Sequence, residues 1–126
     1  MYRAPSNATV AVLGASPNEE RYSFQAVRML KEHKHRPIPV HPAAHTVDGV
    51  RGVKSLDEID GPVDTVTCYV NARISDGEFD RIVNLKPHRV IFNPGAENEN
   101  LAVKLEQEGI EVVRACTLVM LRTGQF

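Results

Sequence analysis

Four consecutive apolar residues, Val10, Ala11, Val12 and Leu13, stop at Gly14, and an amphipathic segment begins near Tyr22. A strand buried on both faces reads as such a run, because neither side of the pleat meets water. Phe24, Val27 and Leu30 then recur at helical spacing while Arg28, Lys31 and Glu32 face outward, which predicts a helix over about 22–33. A buried strand, a tight turn and a helix opening constrain the fold strongly: they belong to layered α/β sheets, where the turn and helix end can meet a phosphate.

The same alternation continues along the chain. Ile38-Pro39-Val40 reads as a short strand, and its prolines suit a sheet edge. A loop over 42–54 leads to Ser55-Leu56-Asp57-Glu58, a capping-box pattern that predicts a short helical turn over 56–60, ended by Gly61-Pro62. Thr65 to Val70 is rich in β-formers and reads as the third strand. Ser75 and Glu78 form a second capping-box pattern, expected to open a helix with Phe79, Ile82 and Val83 inward. Val90-Ile91-Phe92 reads as a fourth strand and 97–108 as a helix with Leu101, Ala102 and Leu105 inward. Gly109 is placed to terminate that helix, and Ile110–Val113 is the fifth strand. The tail from Cys116 is expected to hold a final turn or helix. Its apolar Leu118, Val119, Met120 and Leu121 would close the core or support self-association as a homodimer or with a protein partner. The expected architecture is a single α/β domain over 1–126 in three layers, with a mainly parallel five-stranded sheet.

Composition narrows the partners. A net charge of −1 supplies no basic field for nucleic acid. No apolar run approaches the roughly 20 residues of a membrane span, and Met1–Asn7 lacks an apolar signal core. Cys68 and Cys116 have no metal-ligand spacing, so reduced thiols and a cytoplasmic location are expected. His41 and His45 lack a third ligand, and no metal site is expected.

Ligands of such sheets bind at the carboxyl ends of the strands. Gly14-Ala15-Ser16 is an incomplete dinucleotide fingerprint with only its first glycine, and no Gly-Lys-Ser/Thr follows. Ser16 and Ser23 offer hydroxyls and Arg21 a bidentate cation to a phosphate; a plain tight turn beside a solvated arginine is the alternative. His41-Pro42 stands where dinucleotide binders carry a ribose-binding acid, which weighs against NAD; His41 is a ligand contact or a loop histidine. Val70 and Ala72 could form an apolar shelf after the third strand, near Asn71, and Arg73 either meets a phosphate or covers the surface. After the fourth strand, Gly95 permits close backbone approach and Asn93 bonds a ligand or its own turn. Cys116 follows the fifth strand, where its thiol could meet a ligand or be a partly buried apolar group.

Several of these segments, in order, resemble the small stand-alone CoA-binding domain proteins of bacteria. They are Val12-Leu13-Gly14-Ala15-Ser16-Pro17-Asn18 with Arg21-Tyr22-Ser23, Pro42, Gly52 with Ser55-Leu56, Val63–Val66, Asn93–Glu99, Gly109–Val113 and Cys116. The resemblance implies a Rossmann-like fold, similar to the CoA-binding domain of the succinyl-CoA synthetase α subunit. It implies a non-catalytic module for CoA or an acyl-CoA, a small-molecule nucleotide cofactor. Gly14, Ala15, Ser16, Arg21 and Ser23 would then surround the pyrophosphate or the 3′-phosphate, Pro42, Val70 and Asn71 the adenosine, and Asn93, Pro94 and Gly95 the pantetheine arm. The family carries Asn-Pro where this chain has His41-Pro42. The second domain of the larger synthetases, with its phosphorylated histidine, has no counterpart here, so ligase activity is not expected of this chain alone. An NAD- or other nucleotide-sensing regulator is the alternative that the incomplete fingerprint leaves open.

Overall fold

The computed structural model describes residues 2–126. Five strands, β1 (Thr9–Leu13), β2 (Arg36–Val40), β3 (Thr65–Cys68), β4 (Arg89–Phe92) and β5 (Glu111–Arg114), form one sheet in the order β2-β1-β3-β4-β5. Every adjacent pair is parallel, with Val10 opposite Thr65 and Val66 opposite Val90. The helices are α1 (Tyr22–Glu32), α2 (Ala72–Ser75), α3 (Phe79–Leu85), α4 (Glu99–Gln107) and α5 (Thr117–Arg122).

Alternation within the strands sorts the core into two halves. Ala11, Leu13, Val66, Cys68, Val90 and Phe92 face α3 and α4, whose Ile82, Leu101 and Leu105 complete that side. Val10, Val12 and Ile91 face α1 and α5, meeting Phe24, Val27, Leu30, Met120 and Leu121. The result is a three-layer, Rossmann-like α/β fold with an all-parallel sheet. The apolar tail closes the α1 side of this core, leaving Val119 half exposed.

β2 tolerates two prolines because of which way its backbone points. Arg36 N–H bonds Ala8 O (2.9 Å) and Val40 O accepts from Gly14 N–H (2.8 Å), so these positions face inward. Pro37 and Pro39 alternate with them on the outer edge, where a missing N–H breaks no sheet bond. Pro39 O instead accepts from Val53 N–H (2.9 Å), so residue 53 lies along that edge inside the expected loop.

The two capping boxes turn out differently. Ser55 Oγ accepts from Asp57 N–H (3.1 Å) and Glu58 Oε1 accepts from Lys54 N–H (2.8 Å). The reciprocal pattern is displaced by one residue because the turn at Leu56–Glu58 is a tight 3₁₀ turn. Ser75 caps nothing: α2 has already begun at Ala72, capped by Asn71, whose Oδ1 accepts from Ile74 N–H (3.1 Å). Ser75 is itself helical, and its hydroxyl turns back to Ala72 O (3.4 Å). A 3₁₀ turn at Asp76–Glu78 then joins α2 to α3. The helix expected over 97–108 starts at Glu99 because Asn98 is its cap, Oδ1 accepting from Leu101 N–H (3.0 Å).

Candidate functional site

β2 lies on one side of β1, and β3, β4 and β5 on the other, so the chain changes winding direction between β1 and β3. Open α/β sheets bind ligands at that point, beyond the strand carboxyl ends. Gly14 follows β1 with φ +89°, a conformation that favours glycine, and a Cβ there would lie 2.6 Å from Val70 Cγ1. The glycine thus lets the β1 and β3 exit loops close against each other.

The turn uses most of its own donors. Gly14 and Ala15 N–H groups both bond Val40 O (2.8 and 3.3 Å), and Ala15 is fully buried. Ser16 N–H bonds the buried Ser23 Oγ (3.1 Å), while Ser16 Oγ accepts from Asn18 N–H (3.1 Å). What remains open is the start of α1. Arg21 stands at the cap position without a capping side-chain bond, leaving the first-turn N–H groups of Tyr22, Ser23 and Phe24 facing outward from the helix end.

A central lobe of about 350 Å³ lies over this helix start. It brings together Gly14, Ser16, Arg21, Ser23, His41 and Pro94. Sequence reasoning did not select Tyr22, His45 and Tyr69, which also line it. His41 Nδ1 accepts from Ala43 N–H (3.0 Å), so in the neutral ring the proton sits on Nε2. Burial and then the neighbouring His45, its ring 4.5 Å away, lower the His41 pKa and favour that neutral form. The Tyr69 hydroxyl is buried without a hydrogen-bond partner, beside the Thr67 and Thr117 hydroxyls, which bond each other (2.8 Å). Burial pushes that phenol far above its ordinary value, so it is a neutral donor.

Two further lobes flank the centre. On the β2 side, a mainly apolar lobe of about 210 Å³ lies between Leu13, Val40, Pro42, Val70 and Ile74 and shares Gly14 and His41 with the centre. On the α5 side, a lobe of about 340 Å³ is bounded by Pro94, Cys116 and Leu118 and shares Tyr22 and Tyr69 with the centre. The cleft therefore runs apolar, polar, apolar across the switch point.

The remaining candidates have structural work. Asn93, only 2 % exposed, donates from Nδ2 to Thr67 Oγ1 (2.7 Å) and Cys68 O (3.0 Å) and accepts Thr117 N–H (2.8 Å), tying β3, β4 and α5 together. It reaches the α5-side lobe with its donors already engaged. Asn71 caps α2, and Asn71, Arg73 and Gly95 are exposed positions that line none of the three lobes. Gly95 N–H bonds Glu97 Oε1 (2.9 Å) at the entry to α4. Among the described residues no helix is long and apolar enough to cross a membrane.

Comparisons with known proteins agree with this fold. Residues 8–122 match the family described as CoA binding domain, and the chain belongs to that family. A Bacillus subtilis protein, the uncharacterized YneT, is 28 % identical over 104 residues, covering 82 % of this chain and 77 % of its own length. A crystal structure of an uncharacterized protein is 44 % identical with a TM-score of 0.90, covering 97 % of this chain and all of that one. The fold alone is also shared with a dinucleotide-forming acetyl-coenzyme A synthetase of Ca. Korarchaeum cryptofilum (TM-score 0.74, 20 % identity). That match covers 87 % of this chain and 26 % of the synthetase.

Proposed function

We propose that this chain is a non-catalytic binding module for CoA or an acyl-CoA, lying extended along the three-lobed cleft. One observation carries the reading: the apolar, polar, apolar sequence of lobes has the same order as adenosine, pyrophosphate and pantetheine in CoA. The pyrophosphate would lie over the start of α1, met by the N–H groups of Tyr22 to Phe24, the Ser16 and Ser23 hydroxyls and Arg21. His41 Nε2–H would donate from the facing wall, which the Tyr69 side chain helps to form. Adenine would occupy the lobe of Pro42 and Val70, and the pantetheine arm the lobe of Pro94, with any acyl group toward Cys116 and Leu118.

The holding role is supported by how the cleft hydroxyls are used. Ser16 and Ser23 each accept a backbone N–H, which fixes them as positioned donors. A thermal-shift titration with CoA, acetyl-CoA, NAD and ATP tests the proposal, since a ligand of the native state raises the melting temperature by mass action. Shifts with CoA and acetyl-CoA alone, with no release of free CoA thiol from acetyl-CoA, are expected. A larger shift with NAD would favour a dinucleotide sensor, and no shift at millimolar CoA would overturn the proposal.

A further inference from the structure

We propose that Lys54 recognises a phosphate carried on the adenosine ribose, so that this cleft selects CoA over dephospho-CoA; the inference rests on the CoA reading of the cleft. The starting point is the end of β2. In dinucleotide-binding sheets a carboxylate at this place accepts the free ribose hydroxyls. Here β2 is followed by His41 and Pro42, which offer no carboxylate to a free ribose diol.

The fold delivers a cation to the same place. Val53 anneals alongside β2, its N–H bonding Pro39 O (2.9 Å) and its carbonyl accepting His41 N–H (3.0 Å). Gly52 makes the approach possible, because a Cβ there would overlap the His45 carbonyl oxygen. Glu58 Oε1 then holds Lys54 N–H (2.8 Å). With its backbone fixed in this way, Lys54 lines the apolar lobe beside Val40, His41 and Val70.

Its ammonium is not neutralised. Arg28, Lys31, Arg81 and Arg114 all pair with carboxylates, whereas Lys54 forms no ion pair among the described residues. Glu78 faces the same lobe, but Arg81 Nη1 engages its carboxylate (3.3 Å). A compact ammonium is suited to a dianionic phosphate monoester. With the His41 Nε2–H it makes an anion subsite at the ribose end, apart from the helix start at the centre.

Calorimetric titration of wild type, Lys54→Gln and Lys54→Arg with CoA, dephospho-CoA, NADP and NAD tests this. Wild type should bind CoA about tenfold more tightly than dephospho-CoA, the scale of one charge-assisted contact. Lys54→Gln should lose that discrimination through weaker CoA binding while dephospho-CoA affinity stays within about twofold, and Lys54→Arg should retain most of it. Matching melting temperatures for the three proteins would exclude a folding defect. Equal wild-type affinity for CoA and dephospho-CoA, or discrimination that survives Lys54→Gln, overturns the role of Lys54 while leaving CoA binding intact. Absence of binding by both CoA species overturns the CoA reading; a Lys54-dependent preference for NADP over NAD in that case would preserve the ribose-phosphate subsite alone.

Discussion

Substituting Gly14 with alanine attacks the contact that brings the two halves of the switch point together. Gly14 has φ +89°, and its missing Cβ leaves the space that Val70 Cγ1 fills. The left-handed backbone alone costs alanine roughly 1–2 kcal/mol. The added methyl must also displace Val70, and an off-rotamer side chain costs about 1 kcal/mol, for a combined loss of about 2–3 kcal/mol. Scaled to 126 residues, the unfolding entropy is about 0.26 kcal/mol/K, so the melting temperature should fall by about 8–11 °C. The steric part is separable. In a Val70→Ala background the new methyl keeps only ordinary van der Waals contacts, 3.4 Å from the backbone of Tyr69 and Val70, so the substitution should cost only its backbone part, with a coupling of about 1 kcal/mol between the two sites. Thermal melts of the wild type, both single variants and the double variant, followed by far-ultraviolet circular dichroism, measure all of this. A Gly14→Ala melting point within about 2 °C of wild type, or strictly additive effects, would refute the reasoning.

Asn93→Ala should destabilise the protein by about 2–4 kcal/mol, measured by urea unfolding, since it orphans the buried Thr117 N–H and removes the Nδ2 bonds to Thr67 Oγ1 and Cys68 O. Arg89, 1 % exposed, bonds Thr65 Oγ1 and Phe126 O and lies against the Phe126 ring. Arg89→Ala should therefore cost about 3 kcal/mol or more in the same assay, and Arg89→Met clearly less, because an apolar side chain of similar volume fills the space without a buried charge. The burial that lowers the His41 and His35 pKa values below the ordinary 6.5 makes the unfolded chain bind protons first as pH falls. Their contribution is complete above that value and is lost as pH drops through the lower folded-state values. Melting temperature should decline between pH 7 and 5, and His41→Asn, which keeps an acceptor for Ala43 N–H, should flatten the decline.

The alternation of apolar runs and amphipathic segments made all five strands readable, because a parallel strand buried on both faces leaves an unbroken apolar signature such as Val10–Leu13. The prolines of β2 were readable as an edge for the same local reason. Capping was less legible: Ser75 and Glu78 match the pattern, yet Asn71 opens the helix four residues earlier and makes Ser75 its last residue. The site was legible only where the chain places residues directly after strands. Gly14, Ser16, Arg21, Ser23, His41 and Pro94 do meet in one lobe. Tyr69 escaped because it continues the β-rich run of β3, and nothing local reveals that its hydroxyl ends up unpartnered. Lys54 escaped because only the long-range pairing of Val53 with β2 brings it to the cleft. The use of Gly14 and Ala15 N–H groups by Val40 O is likewise a property of strand neighbours, and it moves the open donors from the turn to the start of α1.

The most direct test of the account is a backbone amide NMR titration of the isotopically labelled protein with CoA. The account predicts saturable shifts at Ser16, Tyr22, Ser23, His41, Lys54, Val70 and Cys116, tracing all three lobes at the carboxyl edge of the sheet. No saturable shifts, or shifts clustered at the opposite edge around His88 and Glu111, would contradict it.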